Sequence, residues 1–237
     1  MILHIHQTSA DASRALAERI LQIARNTPGL VNIALSGGNT PAQLFRMWAS
    51  EYGDCTPWER IRFFWVDERC VPPEDAESNY GMTKRNLLDL APIPPENVFR
   101  IHGENDPDSE AIRYAEQAGR LIPSAVFDIV LLGIGEDGHA ASIFPGQETL
   151  LTAAHMYAVG VHPTSGQRRV TLTGQPLIKA SCLCFLAAGR SKRNVLAELS
   201  ALSGSGPAIW VARNALHPVE LFIDAEAGAL LRDQPNL

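Results

Sequence analysis

Short apolar runs that alternate with longer segments of helical period constrain the fold of this chain more than any other feature. The runs at residues 31–35, 61–66, 127–132 and 181–187 predict buried β-strands, and helical periodicity follows most of them. Strands with no polar face are covered on both sides. The alternation therefore predicts an α/β fold with a mostly parallel, doubly wound sheet and helices on both faces.

The remaining elements follow from the same periodicities. Further strands are predicted at 98–101, 157–161, 169–173, 209–211 and 221–223, and helices at 41–49, 78–90, 109–121 and 191–202. Ser78 is the expected N-cap of the second of these helices. A length of 237 residues, 46% of them hydrophobic, suffices for one large core, and no repeat or low-complexity linker interrupts it. We therefore expect one domain over residues 1–237.

Composition argues against two classes of partner. The formal net charge of −6 gives no basic footprint for nucleic acid or for a membrane surface. No segment approaches the roughly 18 consecutive apolar residues of a transmembrane helix. The N-terminus also lacks the basic and apolar regions of a signal peptide.

The cysteines indicate a reducing compartment. Cys55, Cys70, Cys182 and Cys184 form no C-x-x-C pair, and a chain of this size does not need disulfides. We expect reduced thiols in a cytoplasmic protein, with Cys182 and Cys184 buried on one face of a strand.

The segment after the strand at 31–35 is a candidate phosphate loop. It reads Ser36-Gly37-Gly38-Asn39-Thr40-Pro41. Glycines allow a ligand to approach the backbone, Thr40 can cap the following helix, and Pro41 suits a first helical position. Exposed amides at a helix N-terminus favour an anion. The alternative is an ordinary strand-to-helix turn.

Three charged residues, Asp67-Glu68-Arg69, follow the strand at 61–66, which we take as a central strand. Three consecutive charges are not expected in a deep core, and a solvated loop is the alternative. Ligands bind at the carboxyl ends of strands in such sheets. Asp67 could there orient a substrate hydroxyl or take a proton, and Arg69 could hold an anion or an oxyanion.

The loop after the strand at 127–132 reads GIGEDGH, and its first six residues match G-x-G-x-x-G. Two observations oppose a dinucleotide site. The loop carries two carboxylates, and the ribose-binding acid expected about 20 residues later is missing. Asp137 could instead bond one imidazole nitrogen of His139 and leave the other nitrogen to take a proton from water.

Two later segments carry cations beside strands. They contain Arg169, in the predicted strand 169–173, and Lys192, directly after the strand at 181–187. Surface charges that flank helices are one interpretation, and anion-binding partners of the Ser36–Thr40 loop are the other. The seven histidines show no metal-ligand spacing, so no metal site is expected.

Taken together and in this order, these segments resemble the 6-phosphogluconolactonase family. The matching blocks are LSGGNTPAQLF at 35–45, FFWVDERCVPPEDAESNYGMTKRNLL at 63–88, DIVLLGIGEDGHAASIFPG at 128–146, RVTLTGQPLIKA at 169–180 and FLAAGRSKRNVL at 185–196. The resemblance implies a Rossmann-like fold and hydrolysis of a phosphorylated sugar lactone, without a metal or nucleotide cofactor. Ala140 departs from the family's usual Thr, which we expect to alter a loop hydrogen bond only.

With this resemblance, each candidate residue receives a role as a hypothesis. His139 is the general base, Asp137 orients it, and Asp67 positions water or a sugar hydroxyl. Arg69 or backbone amides stabilise the oxyanion. The phosphate is expected at Ser36, Gly37, Gly38, Thr40, Arg169 and Lys192.

Two other functions are alternatives. The glucosamine-6-phosphate deaminases resemble the chain at Asp67-Glu68 and in the histidine loop, but that family usually has Tyr where Arg69 stands. A non-catalytic sugar-phosphate sensor would commonly carry an appended DNA-binding module, for which this chain has no room. We expect an enzyme that acts as a monomer or a small homo-oligomer.

Overall fold

The computed structural model describes residues 1–231, so the last six residues of the expected domain lie outside the described part. The strands are β1 (Ile2–His6), β2 (Val31–Leu35), β3 (Ile61–Trp65), β4 (Asp67–Arg69), β5 (Ile129–Leu132), β6 (Tyr157–Val161), β7 (Arg168–Leu172), β8 (Cys182–Ala187) and β9 (Glu220–Asp224). The α-helices are α1 (Ser9–Asn26), α2 (Asn39–Tyr52), α3 (Asn79–Thr83), α4 (Pro107–Leu121), α5 (Gly174–Lys179), α6 (Arg193–Ser200) and α7 (Pro207–Asn214). Short 3₁₀ turns lie at Gly53–Cys55, Trp58–Arg60, Pro95–Asn97, Glu148–Leu151 and Arg190–Lys192.

Six strands form a parallel sheet in the order β1-β9-β8-β5-β2-β3, with helices on both faces. This confirms the predicted Rossmann-like, doubly wound fold. Strands β5 and β2 are neighbours in the middle of this sheet. From β2 the chain continues to β3 at one edge, and from β5 it continues to β8 and β9 toward the other edge. The loops that leave β2 and β5 therefore diverge, and their carboxyl ends define the crevice in which such sheets bind ligands.

The central strands are apolar because they are covered on both faces. All four residues of β5 are fully buried, as are Ile33, Ala34 and Leu35 of β2. Cys182 and Cys184 are buried on the same face of β8, with their sulfur atoms 3.4 Å apart, as predicted.

A second, antiparallel sheet in the order β4-β7-β6 corrects two predictions about Asp67-Glu68-Arg69. The preceding strand β3 is the edge strand of the main sheet, not a central strand. The three charged residues form strand β4 rather than a solvated loop, and they pair with β7 so that Arg69 lies opposite Arg169. Asp67 and Glu68 are buried, 6% and 2% exposed.

Glu68 can be buried because backbone amides surround its carboxylate. Its Oε1 accepts from the amides of Arg69 at 2.8 Å and Asn79 at 2.7 Å, and its Oε2 accepts from the Tyr80 amide at 2.7 Å. The Ser78 hydroxyl donates to Oε2 at 3.1 Å. Burial raises the pKa of Glu68 above its ordinary value, and the amide hydrogen bonds oppose that rise. The carboxylate thus fastens the start of α3 to β4.

The predicted helix at 78–90 is correct at its start but not in its form. Ser78 is the N-cap, and its hydroxyl accepts from the Gly81 amide at 3.0 Å. The chain is α-helical only to Thr83, and Lys84–Leu88 then forms a π-helical turn. Such turns carry one extra residue per turn, which an apolar repeat does not reveal.

Two predicted strands are wrong. Residues 98–101 make only a single bridge, from Val98 to Phe63, because the next carbonyl, that of Phe99, accepts from the Tyr114 hydroxyl at 2.7 Å. Residues 209–211 lie inside α7, since a short apolar run fits a buried helix as well as a strand.

None of the helices in the described part of the chain combines the length and the apolarity that a membrane span requires.

Replacement of Glu68 by Ala should leave several buried donors without an acceptor. Each such donor costs about 1–3 kcal/mol, so we expect a loss of about 3 kcal/mol or more in the free energy of unfolding. Urea unfolding of Glu68→Ala measures the loss, and the exposed Glu59→Ala serves as control. A loss no larger than that of the control would contradict the structural role of this carboxylate.

Candidate active site

A cavity of about 350 Å³ opens at the carboxyl ends of β2 and β5. Its lining comes from six places in the chain that the fold brings together: the loop after β2, strand β4, the start of α3, the loop after β5, strand β7 and the end of β8 with the segment after it. The lining includes Ser36, Gly37, Gly38, Thr40, Asp67, Arg69, His139, Arg169 and Lys192. The structure thus gathers nine of the ten predicted site residues around one cavity, and the tenth, Asp137, contacts His139.

The loop after β2 contributes Ser36, Gly37, Gly38 and Thr40 to the cavity lining. The Ser36 hydroxyl donates its proton to the Leu131 carbonyl of β5 at 2.7 Å. A Cβ atom on Gly37 would lie 1.7 Å from Oδ1 of Asn79, so only glycine allows that amide to pack here. Helix α2 begins at Asn39 and has no side-chain cap.

Thr40 therefore lies within the first turn of α2, and its prediction as the N-cap is wrong. Pro41 gave the misleading signal. The first amides of a helix lack intrahelical acceptors, so proline fits at several positions of the first turn, not only at the first.

In the loop after β5, the imidazole of His139 lies against the carboxylate of Asp137. The distance from Nδ1 to Oδ1 is 2.7 Å, and the backbone amide of His139 donates to the same oxygen at 3.2 Å. Partial burial acts to raise the pKa of Asp137, but the His139 imidazole and amide hold that pKa below its ordinary value. The Asp137 carboxylate is thus ionised at neutral pH.

An ionised carboxylate only accepts hydrogen bonds, so Nδ1 of His139 must carry the proton that it shares with Asp137. Nε2 is then the unprotonated nitrogen of the neutral imidazole and is available as a base. The ring of Phe144 packs on the imidazole, with centroids 4.6 Å apart, and holds its orientation from one side. The pair has the arrangement of an oriented general base.

Asp67 lines the cavity, and its carboxylate is held by polar side chains. Its Oδ2 accepts from the Ser142 hydroxyl at 2.6 Å, and its Oδ1 accepts from the Asn79 side-chain amide at 3.3 Å. The same amide donates to the Asp67 carbonyl at 2.8 Å. These contacts fix a carboxylate that is 6% exposed and lines the cavity.

Arg69 and Arg169 are cross-strand neighbours, and both line the cavity. Within residues 1–231 neither forms an ion pair with a carboxylate, whereas the adjacent Arg168 pairs with Asp108. Nη1 of Arg69 donates to the Glu77 carbonyl at 2.5 Å, and the Arg169 guanidinium lies 5.6 Å from the Phe144 ring centroid. With Lys192, these side chains give the cavity a positive wall suited to an anion.

Two residues of this arrangement were not predicted from sequence. Asn79 lines the cavity, and Ser142 joins Asp67 to Arg169. Both stand in the family-like blocks quoted above, but a lone Asn after a helix cap and a lone Ser after a glycine loop carry no motif. Only the fold brings Ser142 to a residue 75 positions earlier in the chain.

Within residues 1–231, no three His, Cys, Asp or Glu side chains are grouped as a metal ion would require.

An oriented imidazole beside a set of cations, at the point where a doubly wound sheet reverses its strand order, gives an α/β protein a cavity suited to small anionic ligands. Residues 7–221 match the model of the family described as glucosamine-6-phosphate isomerases/6-phosphogluconolactonase. The chain belongs to this family.

Individual relatives support this family assignment. A 6-phosphogluconolactonase of Treponema pallidum is 40% identical over 201 residues, which cover 83% of either chain. That of Haemophilus influenzae is 43% identical over 170 residues, covering 71% of this chain and 73% of the relative. The solved structure of 6-phosphogluconolactonase from Trypanosoma cruzi superposes with a TM-score of 0.87 at 32% identity, covering 97% of this chain and 96% of that one.

Replacement of Gly135 by Ala should break the His139–Asp137 contact. A Cβ atom there would lie 2.1 Å from Nδ1 of His139 and 2.3 Å from Oδ1 of Asp137. We expect the imidazole ¹⁵N shifts to report mostly the Nδ1-protonated tautomer in wild type and a mixture of tautomers in Gly135→Ala. Gly133→Ala is the matched control, because a Cβ atom there meets nothing within 4 Å. An unchanged tautomer in Gly135→Ala would contradict the role given to Asp137.

Proposed function

We propose that this protein hydrolyses 6-phospho-D-glucono-1,5-lactone to 6-phospho-D-gluconate, the second step of the oxidative pentose phosphate pathway. Membership of the family and the activity named for the relatives support the proposal. The observation that carries it is the oriented His139–Asp137 pair in the same cavity as Arg69, Arg169 and Lys192. A hydrolase for a phosphorylated lactone needs a base for water and cations for phosphate, and this cavity holds both.

In the proposed reaction, Nε2 of His139 takes a proton from a water molecule as that water attacks the lactone carbonyl carbon. The negative charge that develops on the carbonyl oxygen is stabilised by Arg69 or by backbone amides of the surrounding loops. The carbonyl then re-forms as the bond from its carbon to the ring oxygen breaks, and the ring oxygen takes up a proton from the His139 imidazolium or from solvent, which restores the proton balance. Imidazole is the side chain that most often serves as a general base near neutral pH.

Asp67 has a separate part in the proposal. Its two carboxylate oxygens accept from Asn79 and Ser142, so its proposed part is to position water or a sugar hydroxyl. The phosphate lies against the backbone of Gly37 and Gly38 and against Arg169 and Lys192. Thr40, in the first turn of α2, adds a hydroxyl at the same wall.

Replacement of His139 by Ala should lower turnover by about 100- to 10,000-fold, because general base catalysis contributes on this order. Lactone hydrolysis is measured with the spontaneous ring opening subtracted. The exposed His217 lies outside the cavity, so His217→Ala should retain wild-type turnover. Near wild-type turnover in His139→Ala would overturn the assignment of the base. Release of ammonia from glucosamine 6-phosphate by the wild type would favour the deaminase instead.

Arg169→Ala and Lys192→Ala should mainly raise KM, since each removes a charged contact to the phosphate. A hydrogen bond to a charged group contributes about 1.5–3 kcal/mol, so KM should rise by about ten- to a hundredfold. Arg168→Ala is the matched control for the first variant, because the neighbouring Arg168 pairs with Asp108 outside the cavity. An unchanged KM in both cavity variants would place the phosphate elsewhere.

A further inference from the structure

A buried hydroxyl stands between the carboxylate of Asp67 and the guanidinium of Arg169. Oγ of Ser142 lies 2.6 Å from Oδ2 of Asp67 and 3.4 Å from Nη1 of Arg169. Ser142 is 0% exposed, so no bulk water replaces these contacts. The roles described above use this residue only to hold Asp67.

The direction of the two hydrogen bonds is fixed by the chemistry of the partners. A guanidinium only donates and an ionised carboxylate only accepts. The hydroxyl of Ser142 therefore accepts from Arg169 and gives its one proton to Asp67. Serine is the smallest side chain that can serve both charges at once.

The backbone holds this hydroxyl in place. The Ser142 amide donates to Oγ1 of Thr171 at 3.0 Å, and Thr171 is itself fully buried. On the other side, Gly160 packs so closely that a Cβ atom there would lie 2.2 Å from the Ser142 carbonyl oxygen. The backbone of Ser142 is thus fixed between β7 and β6, so the residue cannot shift toward Asp67 or toward Arg169.

Arg169 is left with neutral partners as a result. Its contacts within residues 1–231 are the Ser142 hydroxyl, the Gln167 side-chain oxygen at 3.3 Å and the Phe144 ring. Burial acts to lower the pKa of this guanidinium and Asp67 acts to raise it, but arginine keeps its charge in proteins. A cation on the cavity wall that no carboxylate contacts directly can still donate to a phosphate.

We propose that Ser142 is a positioning residue that keeps Asp67 and Arg169 apart as two hydrogen-bonded groups, so that Arg169 remains available to the substrate phosphate. The inference rests on the proposed function. In a half-buried site, opposite charges attract strongly and a carboxylate binds a guanidinium through two parallel hydrogen bonds. Without the hydroxyl, Arg169 would turn onto Asp67 and leave the phosphate.

The test is a double-mutant cycle read by binding. Calorimetry measures the affinity of wild type, Ser142→Ala, Asp67→Asn and the double variant for 6-phosphogluconate, the product of the proposed reaction. We expect Ser142→Ala to bind about ten- to a hundredfold more weakly, as for the loss of a charge-assisted contact. Asp67→Asn in the Ser142→Ala background should restore affinity to within about threefold of the Asp67→Asn single variant, because the competing carboxylate is gone.

Two controls separate this effect from damage to the fold. Ser13→Ala makes the same change at a residue that is also 0% exposed, whose hydroxyl has no partner among the described residues, and it should bind like wild type. Thermal unfolding checks that each variant is folded. If Ser142→Ala does not fold, Ser142→Cys retains the volume with only a weak donor and carries the same expectation.

Wild-type affinity in Ser142→Ala would overturn the inference, as would weakened affinity that Asp67→Asn does not relieve. Lactone hydrolysis by the wild type is assayed in parallel. A wild type that binds 6-phosphogluconate but does not hydrolyse the lactone would sink the proposed function, while the binding cycle would still decide the role of Ser142.

Discussion

The parallel pairing of β2 with β5 governs the geometry of the whole cavity. Ile33 lies opposite Ile129 and Ala34 opposite Val130, and the Ser36 hydroxyl extends the contact to the Leu131 carbonyl at the strand ends. Because the chain leaves these two strands in opposite directions, their loops separate and leave space between them. The loop that approaches an anion with its backbone and the loop that displays the imidazole are therefore neighbours, although about a hundred residues separate them in the sequence.

The second sheet supplies the charges that the main sheet does not. Strand β4 starts directly beyond β3, at the edge of the main sheet, and its pairing with β7 places Arg69 beside Arg169. The two cations repel each other, and the charge of the buried Asp67, which the Ser142 hydroxyl links to Arg169, offsets part of that repulsion. The wall is thus positively charged on the side that faces the cavity. Hydrogen bonds on its other side fix the orientation of its charged groups, as preorganised electrostatic stabilisation requires.

The sequence was sufficient to predict the parallel sheet, because long apolar runs leave few alternatives for the strands. It also located most of the cavity wall, since polar residues directly after such strands meet at one edge of the sheet. The predictions that were wrong or missing concern residues whose placement depends on tertiary contacts. The three charges of β4 show no apolar pattern, and their burial depends on amides from the start of α3, such as that of Tyr80. Ser142 and Asn79 likewise acquire meaning only through contacts with Asp67, which no local pattern encodes.

Strand β4 uses both of its faces within three residues. Asp67 and Arg69 point toward the cavity, whereas Glu68 points away from it and binds the start of α3. Successive side chains in a strand alternate between faces, so the insertion or loss of a single residue before Asp67 would exchange the two sets. The cavity would then receive one carboxylate in place of a carboxylate and a guanidinium, and α3 would lose its anchor. The number of residues that connects β4 to β3 is therefore as much a part of the site as the side chains that the strand carries.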